Sequence, residues 1–347
     1  MLSISFSREN HIMRIGINPQ KGKQFNDDRF IHQVVIPVYI PNDEDYYRDA
    51  FRIFKLCIDS LTRTCHQRTF ITIVNNGSHD EVRNYIDGLL KEGTIHEVIH
   101  TDNVGKVNAI LKGVVGHSIE LVTIADADVL FLSGWQSATA EIFDAFPKAG
   151  VVGLIPQYKA FTYQCENILF DKWFSKDLKF VPVKDPQSLA KYYDSIGWDE
   201  NRNPHYSELA LGIESNGKTA YVGAGHVAAT YKRNIFSEVE TWFQFKLGGN
   251  TLRYIDSLCL HRDYWRLTTY GNFAYHMGNT HESWMDDVKF TADDATTVPT
   301  GFPASDKINR ASYFLKTRIF AAIFRRYDVR RLFYRMKRLP SHMIPKY

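Results

Sequence analysis

The sequence predicts an α/β protein built on an open, mostly parallel sheet flanked by helices. Three observations predict it. Apolar runs of strand length recur between segments of helical spacing, at intervals of about 25–35 residues, as βαβ units with right-handed crossovers require. The runs are apolar throughout instead of alternating, so both faces of the sheet are covered. Polar residues gather where the runs end: Tyr39, Asn75, Asn76, Asn103, Asp126 and Asp128. In open sheets of this kind, ligands bind outside the carboxyl ends of the strands.

The elements follow in order. QVVIPVYIP, from Gln33 to Pro41, reads as a buried strand running into a loop. Phe51, Phe54, Ile58 and Leu61 fall at helical spacing after the acidic stretch NDEDYY, which suits a helix N-terminus. RTFITIVNNGSHD is a second strand ending in turn residues, and Val82, Ile86 and Leu89 mark a second helix. IHEVIHTDN gives a short third strand, and Val107, Ile110, Leu111 and Val114 a third helix. LVTIA is the fourth strand and Gly150 to Ile155 the fifth. Phe161 to Asn216 has no clear period and reads as long aromatic loops that shape a substrate site. Regular signals return at KTAYVGAGHVAATYKR and at YIDSLCLHRDYWRLTTYGNFAYHMGN.

The 347-residue chain is 44% hydrophobic and 14% aromatic, enough core for one large or two modest domains. No run approaches the roughly 20 apolar residues of a membrane span. The start MLSISFSREN lacks the basic-then-apolar order of a secretory signal. Cys57, Cys65, Cys165 and Cys259 are scattered, which fits reduced thiols in a cytoplasmic protein. The net charge of +3 conceals an asymmetry: from Lys307 onward there are twelve Lys/Arg against one acid, Asp328, so the body is acidic.

Asp126 and Asp128 stand two apart at the end of an apolar strand. Residues two apart in extended chain point to the same side. Paired carboxylates there repel unless a cation joins them, and Mg²⁺ or Mn²⁺ does so while also binding phosphate oxygens. The blander reading is a solvated turn, to which D-x-D without the preceding strand would default.

Four stretches, in this order along the chain, carry a resemblance: VVIPVYI, VNNGSHD, NVGKVNAILKGV and IADADV. Together they resemble the inverting glycosyltransferases of the broad family 2 group, which have the glycosyltransferase-A fold and use nucleotide-diphosphate sugars. The resemblance runs from Gln33 to Asn279. It implies that Pro37 and Tyr39 lie near the base and ribose. Asn75 takes the place of a base-reading aspartate, a departure from the family pattern. Asn103 and Lys106 match an N-x-G-K segment near the nucleotide, with Lys106 close to the diphosphate. Asp126 approaches the ribose or the metal, and Asp128 ligates the metal. His276, in FAYHMGN, falls where many members of the fold place a metal-ligating histidine, and an imidazole suits Mn²⁺ better than Mg²⁺.

An acceptor hydroxyl must lose a proton as it attacks, so a base should face the anomeric carbon. The family supplies it from an E-D pair before a helix. The nearest match here is Asp256 in RYIDSLCL, with Ile255 in place of the glutamate and the spacing one residue short; Asp263 is the reserve. GAGHVAATYKR resembles the segment lining the acceptor side, where Gly223 and Gly225 would let backbone approach a ligand and His226 would touch sugar or acceptor.

The tail combines aromatic and basic residues, with Leu315, Ile319, Ala322 and Ile323, and then Val329, Leu332, Phe333 and Met336, at helical spacing. Such segments bind anionic membrane surfaces. The alternative is docking on the acidic body of the protein itself, and no nucleic-acid partner is expected. The expected organisation is an N-terminal extension (1–32), a catalytic domain (33–295) and a basic amphipathic tail (296–347). The expected function is a metal-dependent transferase acting on a glycan or lipid-linked acceptor, cytoplasmic and peripheral at the inner face of the membrane. The competing expectation is a catalytically inactive relative serving as a nucleotide-binding or membrane-surface scaffold. A dehydrogenase would need G-x-G-x-x-G after the first strand, and a nucleotidyltransferase a glycine-rich, arginine-containing loop there; PVYIPNDEDYY is neither.

Overall fold

A computed structural model describes residues 16–23, 29–199, 201, 203–239, 242–247, 251–291, 301 and 307–347. Most of the expected N-terminal extension and the first part of the expected tail lie outside them.

Strands β1 (His32–Val38), β2 (Thr69–Asn75), β3 (Glu97–His100) and β4 (Leu121–Ala125) pair in parallel, joined by α1 (Ala50–Thr64), α2 (Asp80–Lys91) and α3 (Lys106–Val114). Successive side chains of a strand face opposite ways. Val34 and Ile36 therefore pack with Phe54 of α1 and Ile86 of α2, while Val35 packs with Val107 and Ile110 of α3. This sandwiching is why β1 reads as apolar throughout. The acidic stretch before α1 forms a separate 3₁₀ turn, Asp45–Tyr47, and the helix proper starts at Ala50.

After β4 the chain forms β5 (Val129–Phe131), α4 (Trp135–Ala145), β6 (Ala149–Gly153) and α5 (Glu166–Asp171), then β7 (Leu178–Pro182), α6 (Pro186–Ser195) and β8 (Leu209–Ser215). It continues through β9 (Lys218–Val222), β10 (Ala228–Lys232), α7 (Thr251–Ser257), β11 (Trp265–Thr269) and β12 (Ala274–His276). Among the described residues the main sheet has ten strands in the order β3-β2-β1-β4-β10-β6-β11-β9-β8-β7. Only β10, β9 and β7 run against the rest. A separate two-stranded ribbon pairs β12 with β5.

The stretch from Phe161 to Asn216 is more regular than its sequence suggests. Asp185 caps α6 by accepting from Ser188 N at 3.0 Å, with Pro186 in the first turn. That Asp-Pro start is a helix signal the aperiodic surroundings hide. The helix is short and its neighbours β7 and β8 sit at the sheet edge, so no long hydrophobic period builds up.

The C-terminal segment comprises α8 (Arg310–Phe314), a π-helical stretch (Leu315–Phe320), α9 (Ala321–Phe324) and α10 (Tyr327–Met336). Phe324, Phe333, Tyr334, Ile344 and Tyr347 are buried in a core with Phe161, Phe180 and Leu211. One face of the tail is thus docked on the body.

Candidate functional site

The carboxyl ends of β1, β2 and β4 open on a cleft of about 470 Å³, within the range of small-ligand pockets. Pro37, Tyr39, Asn103, Lys106, Asp126 and Asp128, all singled out from sequence, line it. So do Tyr46, Tyr47, Asn76, Lys246, Gly278 and Asn279, of which the sequence marked only Asn76, and that only as a strand-end residue.

Lys106 opens α3, directly after Gly105, whose φ is +91°. A Cβ at Gly105 would lie 2.6 Å from Lys246 Cα, closer than atoms can pack. The missing side chain lets the 242–247 segment cross here, and Lys106 N donates to Lys246 O at 2.8 Å. Lys106 Nζ lies 2.5 Å from Asp126 Oδ1, and both side chains are about four-fifths buried. Burial pushes the Asp126 carboxyl above the usual aspartate range; Lys106 opposes this, and the nearby charge of Asp128 adds to it.

The β5–β12 ribbon brings His276 opposite Val129, and Met277 N donates to Asp128 O at 2.8 Å. His276 Nε2 thereby sits 3.3 Å from Asp128 Oδ2. Its Nδ1 is 2.8 Å from Ser195 Oγ of α6, which fixes the ring. Burial disfavours the imidazolium, but Asp128 outweighs burial and raises the His276 pKa. A carboxylate facing an imidazole nitrogen in this way needs a proton or a cation between them. Asp128 Oδ1 is buried and has no hydrogen-bond partner, a costly state without a ligand. An oxygen–nitrogen donor set with one orphaned carboxylate oxygen fits a divalent cation such as Mn²⁺ or Mg²⁺. Asp43, His79 and Glu81 also bring ligand atoms within 4.8 Å of one another, but Asp43 and Glu81 are exposed on the surface.

Asn75 does not line the cleft. It is buried, its Nδ2 lies 3.0 Å from His100 Nδ1, and its Oδ1 accepts from Ser78 N at 2.9 Å. Its amide is consumed in shaping the turn; Asn76 lines the cleft instead, with its own Oδ1 accepting from Val104 N at 3.0 Å.

Asp256 does not face the cleft either. Its carboxylate is wholly buried and bound to Arg266 Nη1 of β11 at 2.6 Å; Arg266 is equally buried and also donates to Ala224 O. Burial alone would raise the Asp256 pKa, but Arg266 and His226 hold it below the ordinary value. The second oxygen of Asp256 is 3.2 Å from His226 Nδ1, and the imidazole is 40% exposed. His226 lies in the β9–β10 loop, where Val227 O accepts from Asp126 N at 2.8 Å. The histidine thus stands beside the aspartate loop, with Asp256 behind it. Asp263 is excluded as the reserve base: it precedes β11, at the opposite edge of the sheet, and Lys148 and Lys316 hold it at 2.6 and 2.7 Å. The close approaches that Gly223 and Gly225 permit are to Ala160 and Gln157, within the protein.

Residues 34–191 match the Glycosyl transferase family 2 profile. No curated protein matches the chain. Among solved structures, TarS 1–349 of S. aureus in complex with UDP-GlcNAc is 10% identical, with a TM-score of 0.41, over 74% of this chain and 61% of that one. The same TarS fragment on its own is 11% identical with a TM-score of 0.40, over 71% of this chain and 60% of that one. A mannosyltransferase of Pyrobaculum calidifontis with GDP-Man and Mn²⁺ is 13% identical, with a TM-score of 0.44, over 88% of this chain and 72% of that one. The chain spans about 60% of the TarS fragment's length. The parallel half of the sheet and most of its strand-end cleft fall within residues 34–191, the stretch that matches the Glycosyl transferase family 2 profile.

Proposed function

We propose that the chain transfers a sugar from a nucleotide-diphosphate donor, UDP before other nucleotides, to a glycan or lipid-linked acceptor, with inversion. The catalytic unit is 33–295, between an N-terminal extension (1–32) and a basic tail (296–347) that keeps the enzyme peripheral at the inner face of the membrane. Surface polysaccharide or glycolipid synthesis fits such an acceptor. The observation that carries the reading is Asp128 Oδ1, buried and unpartnered in a cleft that also holds Lys106 and Lys246.

Pro37, Tyr39, Asn76 and Asn103 would hold base and ribose, Asp126 the ribose, and the two lysines the diphosphate. Asp128 and His276 would hold Mn²⁺ or Mg²⁺, which supplies Lewis-acid neutralisation of the leaving diphosphate. Asp256 serves the acceptor through His226. With Asp256 ionised and Nδ1 carrying the proton, Nε2 is the basic atom and takes the acceptor proton. The acceptor oxygen bonds to the anomeric carbon as the carbon–phosphate-oxygen bond breaks. The diphosphate leaves with that electron pair, on the face opposite the attack.

The test is calorimetric titration with UDP, GDP, CMP and dTDP, with Mn²⁺ and again with EDTA. Metal-dependent binding of one nucleotide, lost in Asp128→Ala, is the expected outcome. Absence of binding under every condition overturns the reading. Burial of Asp256 favours one alternative, a nucleotide-binding scaffold without catalysis; metal-dependent binding with no donor cleavage would establish it.

A further inference from the structure

The C-terminal helices have two dissimilar faces. The inner face is pinned. Lys316 Nζ lies 2.7 Å from both Asp171 Oδ1 and Asp263 Oδ2, the Phe320 ring packs edge-on to Trp173, and Phe324 and Phe333 are buried. The outer face is apolar as well. Phe314 is 57% exposed, and Leu315, Ile319 and Ile323 follow at helical spacing, each more than two-fifths exposed. On α10, Tyr327, Leu332 and Met336 continue the exposed surface. Arg318, Arg326, Arg331 and Arg335 are exposed among them. Among the described residues these four arginines form no ion pair.

A helix on a globular body normally turns its one apolar stripe to the core and its polar face to water. Here the stripe that would be polar is apolar, on helices held in place by their inner face. A fixed exposed apolar surface of this kind marks an interaction site.

We infer that the outer face of residues 310–336 docks on an anionic lipid bilayer. The inference deepens the membrane side of the function proposed above and rests on that reading, but not on the donor site. Charge decides between occupants. A second copy paired about a two-fold axis would set this arginine-rich face against itself. The core of a protein–protein interface is depleted of charge, whereas here Arg318, Arg326, Arg331 and Arg335 stand exposed among the apolar residues. A headgroup layer accepts both: aromatic and aliphatic side chains enter the acyl boundary while the guanidinium groups reach out to phosphate.

The experiment is sedimentation of the full chain with phosphatidylcholine vesicles and with vesicles containing about one-third phosphatidylglycerol. Binding to the anionic vesicles alone, falling about fivefold for each of Arg318→Gln, Arg326→Gln and Arg331→Gln, is expected. Ile319→Ser/Ile323→Ser should lower binding further at high salt, where the charge contribution is screened. Lys218→Gln, in β9 and outside the tail, serves as the control and should leave binding unchanged. Circular dichroism and nucleotide titration on the same variants show that they are folded and that the donor cleft is intact. No sedimentation with either vesicle, or equal losses in the Lys218 control, overturns the inference. Concentration-dependent dimerisation abolished by the same isoleucine variants overturns it in favour of a second copy. Vesicle binding without any nucleotide binding retains this inference while removing the transferase reading.

Discussion

Two buried aspartate–cation pairs flank the candidate site, and they are built oppositely. Asp126 and Lys106 sit at the cleft wall, each about one-fifth exposed. Asp256 and Arg266 lie wholly inside. In the first pair burial and a neighbouring carboxylate push the aspartate pKa up; in the second a guanidinium at 2.6 Å pulls it down. An arginine meets a carboxylate through fixed, oriented donors, whereas a lysine is a single mobile charge. The inner pair is therefore architecture, permanently charged and holding His226. Under the proposed function, the outer pair would exchange partners on arrival of a diphosphate or cation. Under that function, the contrast separates residues that shape the site from residues that would meet the ligand.

The largest expected effect breaks the inner pair. Asp256→Ala strands a buried guanidinium and should cost about 3–5 kcal/mol of stability, measured by urea denaturation. Asp256→Ala/Arg266→Met should recover much of that loss, because both charges leave together. The pH dependence has a definite sign. Asp256 has a folded pKa below its ordinary 3.8, so its stabilisation is complete above that value and is lost as pH falls through the folded pKa. The gap between wild type and Asp256→Asn should stay constant at neutral pH and narrow only below about pH 4. A gap that closes near pH 6 instead would refute the assignment.

Next in size is His226, the part of the inner assembly that meets solvent. Removing a general base costs about 10²–10⁴ in turnover. His226→Ala should lose kcat by that factor, while metal-dependent nucleotide binding stays at the wild-type level. Asp256→Asn should also lower kcat, through ring orientation, leaving His226 in place. Unchanged donor cleavage in His226→Ala would return the base to another residue.

The same contrast explains what the sequence could tell. The cleft edge is legible because parallel sheets collect polar strand ends on one edge, so Tyr39, Asn103 and Asp128 could be placed on it from local runs alone. Its finest detail escapes: the neighbours Asn75 and Asn76 are both buried and hydrogen-bonded, and only three-dimensional packing shows that Asn75 turns to His100 while Asn76 lines the cleft. The inner assembly joins α7, β11 and the β9–β10 loop, elements with no shared sequence period. Arg266 reads as an ordinary strand residue, so nothing signals that Asp256 points inward to it. The amphipathic tail was visible as a pattern, but the pattern could not tell which of Leu332 and Phe333 would be buried.

On the cleft wall, Lys106→Ala should weaken nucleotide binding about tenfold, the loss of one charge-assisted contact of about 1.4 kcal/mol. Stability should change little, because Asp126, whose pKa is already raised, meets the cleft and can take up a proton once Lys106 is gone. Titration calorimetry and denaturation on one preparation read both quantities. A large stability loss without an affinity change would class Lys106–Asp126 with the inner pair and erase the distinction.

The smallest effect provides the baseline for both pairs. Lys218 and Glu141 meet at 2.8 Å, against 2.5 and 2.6 Å for the two buried pairs, yet their side chains are 47% and 55% exposed. Water and salt screen an ion pair at that exposure, and two long side chains lose rotamer freedom in holding it. Glu141→Gln should therefore cost less than about 1 kcal/mol and show no effect at high salt. The distance is close to that of the buried pairs, so a small value here means that burial, not proximity, makes Asp256–Arg266 structural. A loss as large as that of Asp256→Ala would instead mean that contact geometry alone sets the strength of these pairs, and burial of Arg266 would no longer explain a fixed His226.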